Sequence, residues 1–195
     1  LAREVADHAL GVLPFGHVLH ETRLDLAAQR GLHREAPLLV LAHPARVIAL
    51  GLGSGLAPKA PGTVGSLWGW LSWLVIQNYL SLPEQALLIA AAFIAGWWAC
   101  TVTAHHMGVS DPGAIVWDEI IAMWLILFLV MPTNFWGQLT AFALFRFFDA
   151  AKPGPVAWAD QLFKGFGWRG GFGIIFDDLV AAFCTLCVMA LWRWF

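Results

Sequence analysis

Three long stretches of this 195-residue chain contain no Lys, Arg, Asp or Glu. They cover positions 60–83, 85–110 and 120–145, which is 24, 26 and 26 residues. Each is long enough for a transmembrane helix, which needs about 20 apolar residues. Only 12% of the chain is charged and 59% is hydrophobic, against about 25% and 45–50% in soluble domains. An ordinary water-soluble globule is therefore excluded, and the expectation is an all-α, polytopic membrane helix bundle forming one membrane domain. A formal net charge of -2 offers no basic surface for nucleic acid. Cys100, Cys184 and Cys187 all lie in apolar stretches and read as packing residues without a disulfide framework. The first long apolar run lies too deep in the chain for a signal peptide.

Residues 1–45 differ in composition and hold five of the seven His. They read as an N-terminal extension, with an interfacial helix over 19–30 and a solvated extension as the two alternatives. The membrane-embedded part is then 46–195. From Gly51 to Ser66 the chain is rich in Gly and Pro and is not expected to form a regular helix. About five short spans follow, near 64–80, 85–106, 113–131, 135–151 and 174–194. One Gly-rich loop precedes the first span, and another, 153–173, precedes the last.

The run 120–145 is long enough for one helix, but Pro132-Thr133-Asn134 interrupts it. Proline lacks an amide donor and disfavours helix in the residue before it, so a hairpin is expected. With that reversal, segments 46–63, 107–119 and 146–178 fall on one face. Asp111, Asp118, Glu119, Asp149, Asp160, Asp177 and Asp178 gather there, and Glu84 lies opposite. Arg46, Lys59, Arg146, Lys152, Lys164 and Arg169 share the acid-rich face, which the bias of basic residues in short loops places in the cytoplasm. Trp117, Trp136, Trp158, Trp192 and Trp194 near span ends suit interfacial anchoring, whereas Trp73 and Trp124 suit the interior.

Carboxylates in apolar spans are expensive and need partners. Asp118 and Glu119 are expected about a turn and a half inside the third span. Arg146, Asp149 and Lys152 recur every three residues and share one helix side, and Asp177-Asp178 open the last span. Clustered oxygen ligands suit Mg²⁺; helix N-terminal acids in ordinary interfacial ion pairs are the alternative. In 51–66 the glycines let backbone amides approach an anion, and Ser54, Lys59, Thr63 and Ser66 add polar contacts ahead of a helix N-terminus. Metal ligands, an anion cradle and the cations Lys59, Arg146 and Lys152 on one face point to phosphoryl chemistry on a lipid headgroup. Cys187 and Arg193 have the spacing of a cysteine phosphatase loop, but the glycine-free segment between them belongs to a membrane helix.

The run Gly53-Ser54-Gly55, Pro58, Ala60-Pro61-Gly62-Thr63 and Gly65-Ser66 resembles the signature of the phosphatidylglycerophosphatase A family. So do Trp117-Asp118-Glu119, the Arg146…Asp149…Lys152-Pro153 stretch, and Gly170-Gly171-Phe172-Gly173-Ile174 followed by Asp177-Asp178. The resemblance runs from about residue 46 to the C-terminus. It implies a Mg²⁺-dependent integral membrane phosphatase of the bacterial cytoplasmic (inner) membrane, with its active site facing the cytoplasm. The substrate would be the phospholipid phosphatidylglycerophosphate, converted to phosphatidylglycerol and phosphate. Lys164-Gly165-Phe166-Gly167-Trp168 departs from the pattern as an insertion.

The resulting expectation assigns catalysis to Asp118, Asp149 and Asp178. Metal binding falls to Glu119, Asp149, Asp177 and Asp178, and phosphate binding to Ser54, Lys59, Thr63, Ser66, Arg146 and Lys152. Attack by activated water and attack by an aspartate both stay open. An ion or solute transporter would need polar residues through the membrane depth, and the first, second and last spans offer almost none. A non-catalytic membrane partner protein has no need of these acids and cations.

Overall fold

The computed structural model describes residues 43–194, with side chains described to Trp192. The expected surface helix over 19–30 lies outside the described residues. Those residues form α1 (Pro44–Ala49), a 3₁₀ segment (Gly51–Leu56), α2 (Pro61–Tyr79) and α3 (Leu82–Met107). Then come α4 (Trp117–Val130), α5 (Phe135–Ala151), α6 (Gly154–Leu162) and α7 (Gly167–Trp194), with no strand among the described residues.

Helix boundaries follow local chemistry. α3 opens with a capping box in which Ser81 and Glu84 satisfy each other's end of the first turn, and Gly108 closes it at φ 67°. The break expected at Pro132 is present: α4 stops at Val130, and the Asn134 side chain caps α5 by accepting from the Gly137 amide at 2.9 Å. α5 returns antiparallel to α4, since Arg146 near its end lies beside Glu119 at the start of α4.

Two helices are long and apolar enough to cross a membrane, Leu82–Met107 and Gly167–Trp192. α4 has 14 residues, about 21 Å at 1.5 Å per residue, shorter than a hydrocarbon core of about 30 Å. It is nonetheless the buried centre, with Ile120, Ile121, Met123, Ile126 and Leu127 all 0–1% exposed. α2, α3, α5 and α7 pack around it. Leu71, Val75, Leu87, Ile94, Phe183 and Leu191 are exposed on the outer surfaces, as expected of helices solvated by lipid rather than water.

Glycines set the closest packing. A Cβ on Gly65 would meet Val116 Cβ at 2.7 Å, and one on Gly69 would meet the Ile120 Cα at 3.1 Å. The stripe Gly62, Gly65, Gly69 therefore lets α2 lie directly along the start of α4, a small-residue interface of the kind that membrane helices use. Tryptophan donors tie the same helices: Trp124 Nε1 donates to Ser72 Oγ at 2.9 Å and Trp70 Nε1 to Gln138 Oε1 at 2.8 Å. Trp73 and Trp124 are interior, as expected. Trp117 is not an exposed anchor; it is half-buried, and its Nε1 donates to the Ala92 carbonyl of α3 at 3.0 Å.

Four expected boundaries are corrected. α2 starts at Pro61, because proline is suited to the first helical turn, so Gly62, Thr63 and Ser66 are helical. Asp118 and Glu119 occupy the first turn of α4, because the segment from Gly108 to Val116 is irregular. The stretch 153–173 is not a loop: α6 fills its first half, and α7 already begins at Gly167. Gly171 and Gly173 serve packing there, since a Cβ on Gly171 would overlap Thr101 and one on Gly173 would meet the Phe163 carbonyl oxygen at 2.8 Å. Asp177 and Asp178 consequently lie well inside α7 and do not open it.

Candidate active site

α2 and α4 run parallel, so their N-terminal turns meet at one end of the bundle, where α5 arrives with its C-terminal turn. α7 passes the same level at Asp177 and Asp178. Four separated sequence segments thereby converge.

Asp118, Glu119 and Asp178 each present a carboxylate oxygen within 4.8 Å of the others. Asp118 is 8% exposed and Asp178 is 4% exposed. Asp149 of α5 lies on the same side of the bundle, near Asp178. Arg146 is the cation of this group: it pairs with Asp149 and lies 3.9 Å from Glu119 Oε1. One guanidinium thus pairs with two of the four carboxylates gathered here. Glu119 Oε2 and Asp178 Oδ2 are buried with no hydrogen-bond partner among the described residues. Unpaired buried carboxylate oxygens are costly, and a divalent cation is the group that would relieve them.

The anion-binding elements lie against this cluster. Arg146 Nη1 donates to Ser66 Oγ at 3.3 Å, and Ser66 Oγ donates to the Gly62 carbonyl at 2.8 Å. A Cβ on Gly62 would overlap Glu119 Oε1 and lie 3.2 Å from Arg146 Nη1, so only glycine lets the first turn of α2 approach the acids this closely. The unpaired amides and positive dipole end of that turn point into the same space. Ala60 precedes it at φ 48°, a left-handed geometry that turns the chain into the helix.

Other expected residues stand apart from the acid cluster. Asp177 gives Oδ2 to Lys152 Nζ at 2.7 Å. Lys152 also pairs with Asp160, and Asp160 Oδ2 accepts from Lys164 Nζ at 2.8 Å. Lys152 leaves the shared side of Arg146 and Asp149 because it ends α5 at φ 42° and turns toward α6 and α7. Burial opposes the charge on Lys152, but its hydrogen bonds to Asp160 and Asp177 hold its pKa above the ordinary lysine value. Burial likewise opposes ionisation of Asp160, yet hydrogen bonds from Lys152 and Lys164 hold its carboxyl below the usual range. Ser54 donates to the Gly51 carbonyl at 2.8 Å, Lys59 is exposed, and Thr63 is half-buried in the first turn of α2. Asp160 is the residue that sequence reasoning left without a role; its spacing of eight from Lys152 crosses a helix break, so no periodicity linked them.

A family model described as phosphatidylglycerophosphatase A matches residues 47–193. The phosphatidylglycerophosphatase A of Haemophilus influenzae is 37% identical over 155 residues, covering 79% of this chain and 92% of that protein. Its Escherichia coli namesake is 40% identical over 144 residues, 73% of this chain and 80% of that protein. A Bacteroides thetaiotaomicron protein named as a candidate phosphatidylinositol-3-phosphatase is 36% identical over 157 residues, 76% of this chain and 92% of its own length. No solved structure matches the chain.

Proposed function

The chain belongs to the phosphatidylglycerophosphatase A family, and from that premise we propose that it removes the terminal phosphate of phosphatidylglycerophosphate with the aid of Mg²⁺. The observation that carries the metal is the cluster of Asp118, Glu119 and Asp178 with its two unpartnered buried oxygens. Glu119 and Asp178 would hold Mg²⁺, with Asp118 the adjoining ligand or base. Bound there, the ion would supply positive charge to the phosphoryl oxygens.

The chain's own groups do the rest. Arg146 neutralises the phosphate, and Asp149 and Ser66 fix the guanidinium so that it is not reoriented during reaction. The first turn of α2, with Gly62 and Thr63, supplies backbone amides. Lys59 and Ser54 lie on the preceding segment and attract the anion on approach. Lys152 is already compensated by two carboxylates and holds α6 against α7 instead of binding phosphate directly. The apolar outer surface keeps the acyl chains in lipid while the headgroup reaches the polar end. In this reading five helices, α2 to α5 and α7, form the membrane bundle and the polar end faces the cytoplasm.

The test is phosphate release by the purified protein from phosphatidylglycerophosphate, with phosphatidic acid and phosphatidylinositol 3-phosphate as comparison lipids. Release from the first, abolished by chelator and restored by Mg²⁺, is expected. Release from none of the three removes the phosphatase reading, and full activity in chelator removes the metal.

A further inference from the structure

Among the described residues, Arg146 and Lys152 are half-buried cations that each pair with two carboxylates. Arg46 of α1 is half-buried too, yet it makes no ion pair with a described residue. Its Nε is buried without a hydrogen-bond partner, which is costly for a charged group. The groups around it are donors as well. His106, at the end of α3, lies near Arg46. The His43 ring sits between His106 and Trp98, with ring centroids 5.2 and 6.1 Å away. His43 Nδ1 accepts from the Ala45 amide at 3.2 Å, so the ring carries hydrogen on Nε2 and offers a donor. No described carboxylate pairs with either histidine. Donors gathered without an acceptor suit an anion, and a guanidinium suits a phosphate above all.

Position narrows the anion to one with an apolar tail. α3 is long and apolar enough to cross a membrane. Leu87, Ile94, Trp98 and His105 follow one another at intervals of seven, four and seven residues, so they share one side of that helix. Leu87 is 70% exposed and Ile94 68%. An apolar track therefore climbs α3 to Trp98. The exposed histidines stand about 10 Å beyond it, at 1.5 Å per residue. Tryptophan below and cations above is the order that a lipid headgroup meets at a membrane surface. A free phosphate makes no use of the track.

We propose that Arg46, His43 and His106 hold the phosphodiester phosphate of an anionic phospholipid, whose acyl chains lie along Leu87, Ile94 and Trp98 of α3. The site shares no residue with the acid cluster around Asp178, and it stands whether or not that cluster hydrolyses phosphate. Arg46 supplies the charge. His43 stays capped to α1 through Nδ1 and donates through Nε2, and His106 closes the water side.

The experiment titrates the full-length protein in neutral dodecyl maltoside micelles and reads bound lipid by native mass spectrometry. The probes are dioleoyl phosphatidylmethanol, an anionic phosphodiester without a glycerol headgroup, and zwitterionic dioleoyl phosphatidylcholine, with inorganic phosphate as competitor. Phosphatidylmethanol should bind about tenfold more tightly than phosphatidylcholine. Arg46→Gln and His106→Gln should each weaken it by about three- to tenfold, Arg46→Lys should weaken it less than Arg46→Gln, and Asp178→Asn should leave it unchanged. Equal binding of the two lipids overturns the site, as does binding unchanged in both Arg46→Gln and His106→Gln. Equal losses in Arg46→Gln and Asp178→Asn overturn it too, by placing the lipid in the acid cluster. Displacement of the lipid by an equal concentration of inorganic phosphate assigns the donors to free phosphate and removes the lipid. Should Arg46→Gln fail to fold, His106→Gln decides alone, since that side chain is exposed.

Discussion

Two acidic clusters lie side by side at one end of the bundle and are balanced in opposite ways. Around Asp178, four carboxylates gather with one guanidinium, which pairs with two of them, and two buried oxygens have no hydrogen-bond partner among the described residues. Around Asp177, Lys152 sits between two carboxylates and Lys164 caps the outer one. The first cluster leaves carboxylate oxygens unpaired, and the second is largely paired by its own lysines. Neighbouring residues of one helix serve both, because about 100° of rotation per residue turns their side chains to different partners.

The sharpest break in that comparison is Asp178→Asn against Asp177→Asn. Asp178→Asn should lower kcat on phosphatidylglycerophosphate about 10³-fold, and Asp177→Asn about tenfold or less, measured with both variants shown folded by thermal unfolding. Equal losses would merge the two clusters into one site. Gly62→Ala comes next. Its new Cβ would overlap Glu119 Oε1 and displace Arg146, and misplacement on this scale costs about 10² in rate; an unchanged kcat would remove the α2 turn from the site.

Lys152→Gln addresses the balanced side. It leaves Asp160 and Asp177 facing each other and should lower stability by about 1 kcal/mol, seen as a lower Tm. The same pairs give a pH signature. Lys152 has a raised folded pKa, so its stabilisation is complete below the ordinary lysine value of 10.5 and is lost as pH rises through the folded value. Asp160 has a lowered folded pKa, so its stabilisation is present above the ordinary value of 3.8 and is lost as pH falls through the lower folded value. Wild-type Tm should fall at both extremes more steeply than that of Lys152→Gln. Smallest of all, Lys59→Ala should raise KM a few-fold at low ionic strength, an effect that salt erases because the charge is exposed.

Much of this was legible in the residues. The charge-free runs located α2, α3 and α4–α5, and Pro132 located the hairpin that returns Asp149 toward Asp118 and Glu119, with Arg146 between Asp149 and Glu119. Arg146 and Asp149 pair as their three-residue spacing requires. Other features were hidden. Gly170, Gly171 and Gly173 read as a flexible loop because glycine is common in turns, whereas here they let α7 pack against Gly165, Thr101 and Phe163 respectively. Asp177 and Asp178 read as one pair, since nothing in two adjacent aspartates says which neighbouring helix each will face.

The sequence by itself determined that charged groups must collect at one end of an apolar bundle, because a charge in hydrocarbon costs several kcal/mol and the chain offers few places to put one. It also supplied the family signature. Tertiary structure decided how those charges divide. Close approach of α2 to α4 at Gly62, the return of α5 and the rotation along α7 left one group of carboxylates short of partners and gave the other its lysines. That division depends on which side chains meet across helices, which is fixed only once the helices pack.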